Sequence, residues 1–345
     1  MLKLSRKNLF LQSNDYMCFA VRMIMALPLA ASMSMTLIFV FGLVFGLVAA
    51  VGSYFNIGVF AMVGIGIFIG LIQWLVGPAI IKMMTNMRQL KPGEYPWIEE
   101  IVRNLSNKNN VKMPKIAIAN SGMPNAFVFG RTNKSATLTL TQGLLNTLSK
   151  EEVGAVISHE IGHIKHNDMV VMTIVSVLPV LAYYIAISTL WGRRTDRNQG
   201  GGAILIGIGA FAVYFITNLM ILYFSRLREF YADRFAGYNV KPSILANALA
   251  KITYGLSLQK QTSENSLIRS FYAVDPVAAS AEVSQFPSYY EDKHISESEV
   301  KQAMEWEKKN SFMKFGELFR THPLTYKRIE KLYELENMLN KESKS

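Results

Sequence analysis

The sequence predicts a mainly α membrane protein: four transmembrane helices, paired as two hairpins, carrying an α+β domain built from polar segments on one side of the bilayer. Three observations predict it. Half of the 345 residues are apolar and only 18% are charged, which is too apolar for an ordinary soluble domain. Four stretches reach the roughly 20 apolar residues that cross a bilayer. Between and after them lie two polar regions with the periodicities of short strands and amphipathic helices.

The elements follow in order. Residues 1–27 hold Lys3, Arg6, Lys7 and Arg22, spread along a segment that lacks the short apolar run of a cleavable signal. The first hairpin, residues 28–84, joins spans at 28–51 and 57–81 through a tight connection at 52–56. The first part of the polar domain occupies residues 85–168. Within it, 97–105 has the spacing of an amphipathic helix and 115–119 alternates like a strand. Segments 126–129 and 136–140 read as further strands, with Gly130 and Asn133 marking the turn between them. Ser149 and Glu152 form a capping box, after which Val153, Val156, Ile157, Ile161 and Ile164 recur at helical spacing, with no proline up to residue 169.

The second hairpin, residues 169–224, joins spans at 169–191 and 203–224. Pro179 falls inside the third span, where a membrane helix tolerates it as a kink, and the glycines at 200–202 make a flexible turn before the fourth. The second part of the polar domain, residues 225–345, begins as a helix continuing the fourth span. Residues 259–297, rich in Ser, Glu and Pro, read as a loop or lid. A helix from 298 to 314 and a last helix from near 324 complete the chain.

Basic residues set the sidedness. Lys3, Arg6, Lys7, Arg22, Lys82, Arg88, Lys91, Lys165, Arg226 and Arg228 all flank the spans on one side, against Arg193, Arg194 and Arg197 on the other. That places the N-terminus and the polar domain in the cytoplasm of a multi-pass plasma-membrane protein. The opposing arginines leave one alternative, in which 169–224 does not fully cross. The net charge of +11 then reflects basic flanks touching anionic lipid. No basic run is interleaved with aromatics, so nucleic acid is not an expected partner. Cys18 is the only cysteine, which excludes an intrachain disulfide and a cysteine metal site.

The stretch His159-Glu160-Ile161-Gly162-His163 reads H-E-x-x-H on a helix. Residues four apart share a face, so both imidazoles reach one metal ion, and Glu160 projects beside it, where a carboxylate can take a proton from water. Two neutral imidazoles suit zinc. A third ligand is needed. His166 does not stand at the spacing of a third histidine ligand and reads as a surface or supporting residue, and His294 lies in a charged loop. Glu229 would complete a two-histidine, one-glutamate set, with Asp233 four residues on accepting an imidazole N–H. The alternative is an ordinary charged juxtamembrane helix. Geometry favours the ligand: His163 precedes the third span by six residues and Glu229 follows the fourth by five, so each lies roughly 8–9 Å from the membrane boundary on the same side.

These residues resemble the HtpX-type membrane metalloproteases, relatives of the CAAX prenyl proteases. H-E-x-x-H, a membrane hairpin and Ser225-Arg226-x-Arg228-Glu229-Phe230-x-Ala232-Asp233 match in order. So do Pro124-Asn125-Ala126-Phe127 before the metal helix, and Thr321-His322-Pro323 with Arg328-Ile329 near the C-terminus. The resemblance implies a zincin-like (gluzincin) metalloprotease domain. It implies one zinc ion held by His159, His163 and Glu229, with Glu160 as general base. It places Asn125 and Ala126 on an edge strand that pairs with substrate backbone. His322, Arg328 and Tyr231 are the candidate donors to the transition-state oxyanion. Implied substrates are unfolded or damaged proteins, cleaved as membrane quality control under stress. Two other functions compete: a prenyl-protein protease, and a membrane adaptor without proteolysis, against which the retained Glu160 argues. The sequence is silent on oligomeric state.

Overall fold

The computed structural model describes residues 29–55, 59–191, 200–255 and 297–342. The expected lid at 259–297 and His294 fall outside them, save for Glu297, which starts a helix. The first 28 residues also fall outside them.

Helices α1 (Leu29–Phe55) and α2 (Val59–Met84) make the first hairpin. Helices α6 (Asp168–Trp191) and α7 (Gly200–Asn239) make the second. Among the described residues, these four helices are long and apolar enough to cross a membrane. They pack through small and branched side chains: Val44, Val48 and Val51 of α1 meet Ile185 and Ala186 of α6 and Ala210 of α7. The glycines at 200–202 are not a turn; they open α7. With 40 residues, α7 is about 60 Å long, twice the roughly 30 Å hydrocarbon core, so it is longer than one crossing needs.

The polar domain is built around four strands: β1 (Met87–Gln89), β2 (Lys115–Ala119), β3 (Ala126–Phe129) and β4 (Thr137–Thr141). Their order is β1-β2-β4-β3, with β2 and β4 parallel and both outer pairs antiparallel, so β3 is an edge. Strand β4 starts one residue later than the alternation suggested, and a 3-10 turn at Asn133–Ser135 leads into it. Neither β1 nor α4 (Gln142–Thr147) carries enough residues to show a period. Helices α3 (Pro96–Lys108) and α5 (Lys150–Lys165) cover the sheet. On the far side of α5 stand α7, α8 (Pro242–Gly255) and α11 (Thr325–Glu342).

Sandwiched in this way, α5 is buried at every position from Glu152 to Ile164. Ile157 and Ile161 sit in one core with Leu138 and Leu140 of β4, Leu249 of α8 and Ile329 of α11. Truncating either isoleucine to alanine would cost about 2–5 kcal/mol. Gly162 lets α5 approach α7: a Cβ there would lie 3.3 Å from Ala232 Cα and 3.1 Å from the Phe235 ring.

The proline-free stretch up to residue 169 is not one helix; it breaks after α5. Asn167 takes φ 61°, a left-handed conformation that asparagine adopts more readily than most residues. Its N–H donates to Ile164 O at 3.2 Å. The chain thereby turns from the soluble helix into the membrane helix, with Asp168 at the corner. In the C-terminal region the helix expected over 298–314 is two, α9 (Glu297–Lys309) and α10 (Ser311–Gly316). Asn310 separates them, its side chain accepting from the N–H groups of Phe312 and Met313.

Candidate metal centre

Ser149 caps α5 reciprocally with Glu152: its N–H donates to the carboxylate at 2.8 Å, and its hydroxyl accepts from Glu152 N–H at 3.3 Å. Two turns on, His159 and His163 turn their Nε2 atoms to within 3.2 Å of each other. Glu229 reaches in from α7, with Oε2 3.6 Å from His159 Nε2 and Oε1 3.5 Å from His163 Nε2. The donor atoms of the three residues all lie within 4.8 Å of one another. Ligands bonded at about 2.0–2.2 Å in a tetrahedron around zinc stand about 3.3–3.6 Å apart, so the spacing fits that ion.

Each imidazole is held from behind. Asp233 Oδ1 lies 2.9 Å from His159 Nδ1, and Asp168 Oδ2 lies 2.6 Å from His163 Nδ1. A carboxylate on the remote nitrogen fixes the tautomer and aims the other nitrogen at a metal. Asp168 was not singled out in the sequence. Its only signal there is a position five residues after the second histidine, and the Asn167 turn is what brings it under the ring. Arg228 Nε stands 3.1 Å from Asp168 and holds that carboxylate in turn. The group as a whole favours a cation: burial alone would lower the His159 pKa, yet hydrogen bonding to Asp233 and Glu229 holds it up to about 10.

Arg328 is the counterion of this cluster. It is buried, donates in parallel to both oxygens of Asp233 at 2.7 Å, and lies 3.2 Å from Glu229 Oε2. Burial works against its charge, but Asp233 first, then Glu229 and Glu160, keep it above its ordinary value. It does not line the cavity beside the donors; His322 does. His322 Nε2 stands 3.8 Å from Glu229 Oε1, and its Nδ1 lies 2.9 Å from Thr321 Oγ1. Burial pushes its pKa down to about 4, so the ring is neutral near pH 7.

That cavity, of about 370 Å³, is walled by β3, α2, α6 and the donor helices. Glu160 opens onto it with Oε2 buried and accepting no hydrogen bond, and burial pushes its carboxyl up. Tyr231 is not part of the wall; it packs edge-on against His166 at 5.2 Å, which also meets Phe235 at 5.8 Å. Asn125 is buried just before β3, and Ala126 begins that strand. Thr141 N–H donates to Asn125 O at 3.0 Å, and Asn125 N–H donates to Thr141 Oγ1 at 2.8 Å, so these peptide groups face inward. By the antiparallel alternation, those of Ala126 and Val128 face the free edge.

Comparison with known proteins identifies the family. A model of peptidase family M48 matches residues 92–336, more than two thirds of the chain. The protease HtpX homolog of Thermoplasma acidophilum is 31% identical over 329 residues, which cover 90% of this chain and 98% of that protein. The protease HtpX homolog of Methanothermobacter thermautotrophicus is 37% identical over 233 residues, 66% of this chain and 87% of that one. Among solved structures, the crystal structure of S. mikatae Ste24p shows a loose likeness, at 17% identity and a TM-score of 0.48, covering 88% of this chain and 65% of that one. With four membrane-length helices, a small sheet and H-E-x-x-H facing a glutamate across a hairpin, this chain belongs to peptidase family M48, as a membrane metalloprotease of the HtpX type.

Proposed function

We propose that this chain is a zinc-dependent endopeptidase that hydrolyses peptide bonds of damaged or misfolded proteins, membrane proteins among them, at the cytoplasmic surface of the membrane. The observation that carries the reading is the convergence of three ligand atoms beside a buried, unpartnered Glu160 oxygen. His159, His163 and Glu229 would hold one zinc ion per chain, and Asp233 orients His159. When bound, zinc supplies Lewis acidity and brings the pKa of water toward about 7.

The protein's own groups then have distinct tasks. Glu160 takes a proton from the attacking water and passes it to the leaving amine. With Thr321 donating to His322 Nδ1, the neutral ring presents Nε2–H as the donor to the developing oxyanion. Arg328 neutralises Asp233 and Glu229 rather than touching substrate, and Tyr231 stands behind His166. An extended peptide adds to the edge of β3 through Ala126 and Val128, a mode that reads backbone more than side chains. Asn125 supports that edge from inside.

A prenyl-protein protease is the second reading, and one feature favours it. An apolar cavity of about 580 Å³ between α1, α2 and α6 shares Trp74 and Thr173 with the donor cavity. Purification in detergent with chelator, followed by zinc and an unfolded protein substrate, separates the readings when a prenylated peptide and Glu160→Gln are run alongside. Zinc-dependent cutting of the unfolded protein, lost in the variant, is the expected result. Cutting of the prenylated peptide alone would replace the main reading with the second.

A further inference from the structure

The C-terminal region carries an exposed apolar face. Phe312 is 80% exposed, Phe315 62%, Leu318 46% and Phe319 51%. Their spacing of three, three and one puts them on one side of α10 and the 3-10 turn Glu317–Phe319 that continues it. The rings of Phe315 and Phe319 meet edge-on at 5.7 Å. The opposite side is anchored: Met313 is buried with Leu324 and Tyr326.

The height of this face is fixed by Arg226. That residue lies two positions past the apolar run 203–224 and is the first charged residue of α7. Its guanidinium donates to the carbonyls of Glu317 at 2.7 Å and Arg320 at 2.8 Å, and stacks at 5.8 Å on Tyr223, an aromatic at the end of the span. The segment is therefore pinned beside the end of the fourth apolar run, and aromatic and basic side chains are both favoured where such a run meets water. Lys314 lies exposed within it.

We propose that residues 311–320 are a foot that rests in the membrane. Phe312, Phe315, Leu318 and Phe319 enter the headgroup–acyl boundary of the bilayer that α7 crosses, and Lys314 meets lipid phosphate. The occupant is lipid because the face lies beside a membrane-spanning helix and is held at the end of that helix's apolar run. The foot ends two residues before His322, so seating it also fixes the loop that lines the donor cavity. The inference rests on the membrane-crossing helices, not on the proteolytic reading.

The chain has a single cysteine, which makes the test direct. In a Cys18→Ser background, Phe312→Cys and Phe315→Cys are spin-labelled separately and placed in lipid nanodiscs. Ile67→Cys on α2 serves as the lipid control and Lys331→Cys on α11 as the aqueous control, both exposed sites. Collision with oxygen is compared with collision with a water-soluble nickel chelate. The oxygen-to-nickel ratio at both foot positions should approach that of Ile67 and exceed that of Lys331 several-fold. A ratio equal to that of Lys331 overturns the proposal, because the face is then in water. Low collision with both reagents also overturns it, because protein then covers the face, whether residues 256–296 or a second copy.

Discussion

Glu160 and Glu229 are both buried glutamates beside the same two histidines, and they should fail differently when changed. Glu160→Gln keeps the shape of the site and the three donors but removes the base. Peptide cleavage should fall by about 10²–10⁴-fold while zinc per chain, measured by elemental analysis, stays unchanged. Wild-type cutting by the variant would remove Glu160 from the chemistry. Glu229→Ala takes away a donor and leaves Arg328 under-neutralised. Bound zinc should drop well below one per chain, and a full complement would exclude Glu229 as ligand. Asp168→Asn keeps an acceptor for His163 but loses its charge, so chelator competition should show zinc affinity about 10–100-fold weaker. Unchanged affinity would mean that the charge of Asp168 does not tune the His163 ring. The two histidines were legible from their spacing, and Glu229 from counting residues out of two spans. Asp168 and Arg226 were not legible, because each acts through a turn or loop whose path no period reveals.

Among the elements, α5 was readable because its capping box and apolar spacing are local. Its end was not: proline is one of several ways to stop a helix, and here a left-handed asparagine does so. The C-terminal region depends on a contact between elements far apart in sequence. Glu307 of α9 is buried and accepts the N–H groups of Thr325 and Tyr326, the first turn of α11, at 3.1 and 3.0 Å. Burial pushes its carboxyl up from 4.5 to about 7 even so. The folded protein thus holds a proton there that the unfolded chain has released. Stability from this group is full below about pH 4.5 and declines as pH rises to about 7, by at most about 3 kcal/mol. The thermal midpoint should fall across that window, and Glu307→Gln should flatten the slope. An identical slope in the variant would mean that other groups govern it.

For the whole molecule, four membrane-length helices were legible from composition, because bilayer thickness sets a length that sequence reports directly. How far α2 and α7 extend beyond the bilayer was not, since Trp74 and Pro78 read as apolar span yet line the donor cavity. Sidedness rests on the basic flanks. A cysteine at Lys331, in the Cys18→Ser background, should resist a membrane-impermeant maleimide in sealed right-side-out vesicles and react after permeabilisation. Reaction without permeabilisation would reverse the assignment. The hairpin between His163 and Glu229 has a further consequence in time. A ribosome makes the two histidines first, then α6, then α7, and Arg328 near the end. A nascent chain that has not yet inserted this hairpin holds two donors and no third beside them. Hydrolytic competence would therefore arrive only after insertion, which shields the translation machinery and neighbouring nascent chains from a protease still being made.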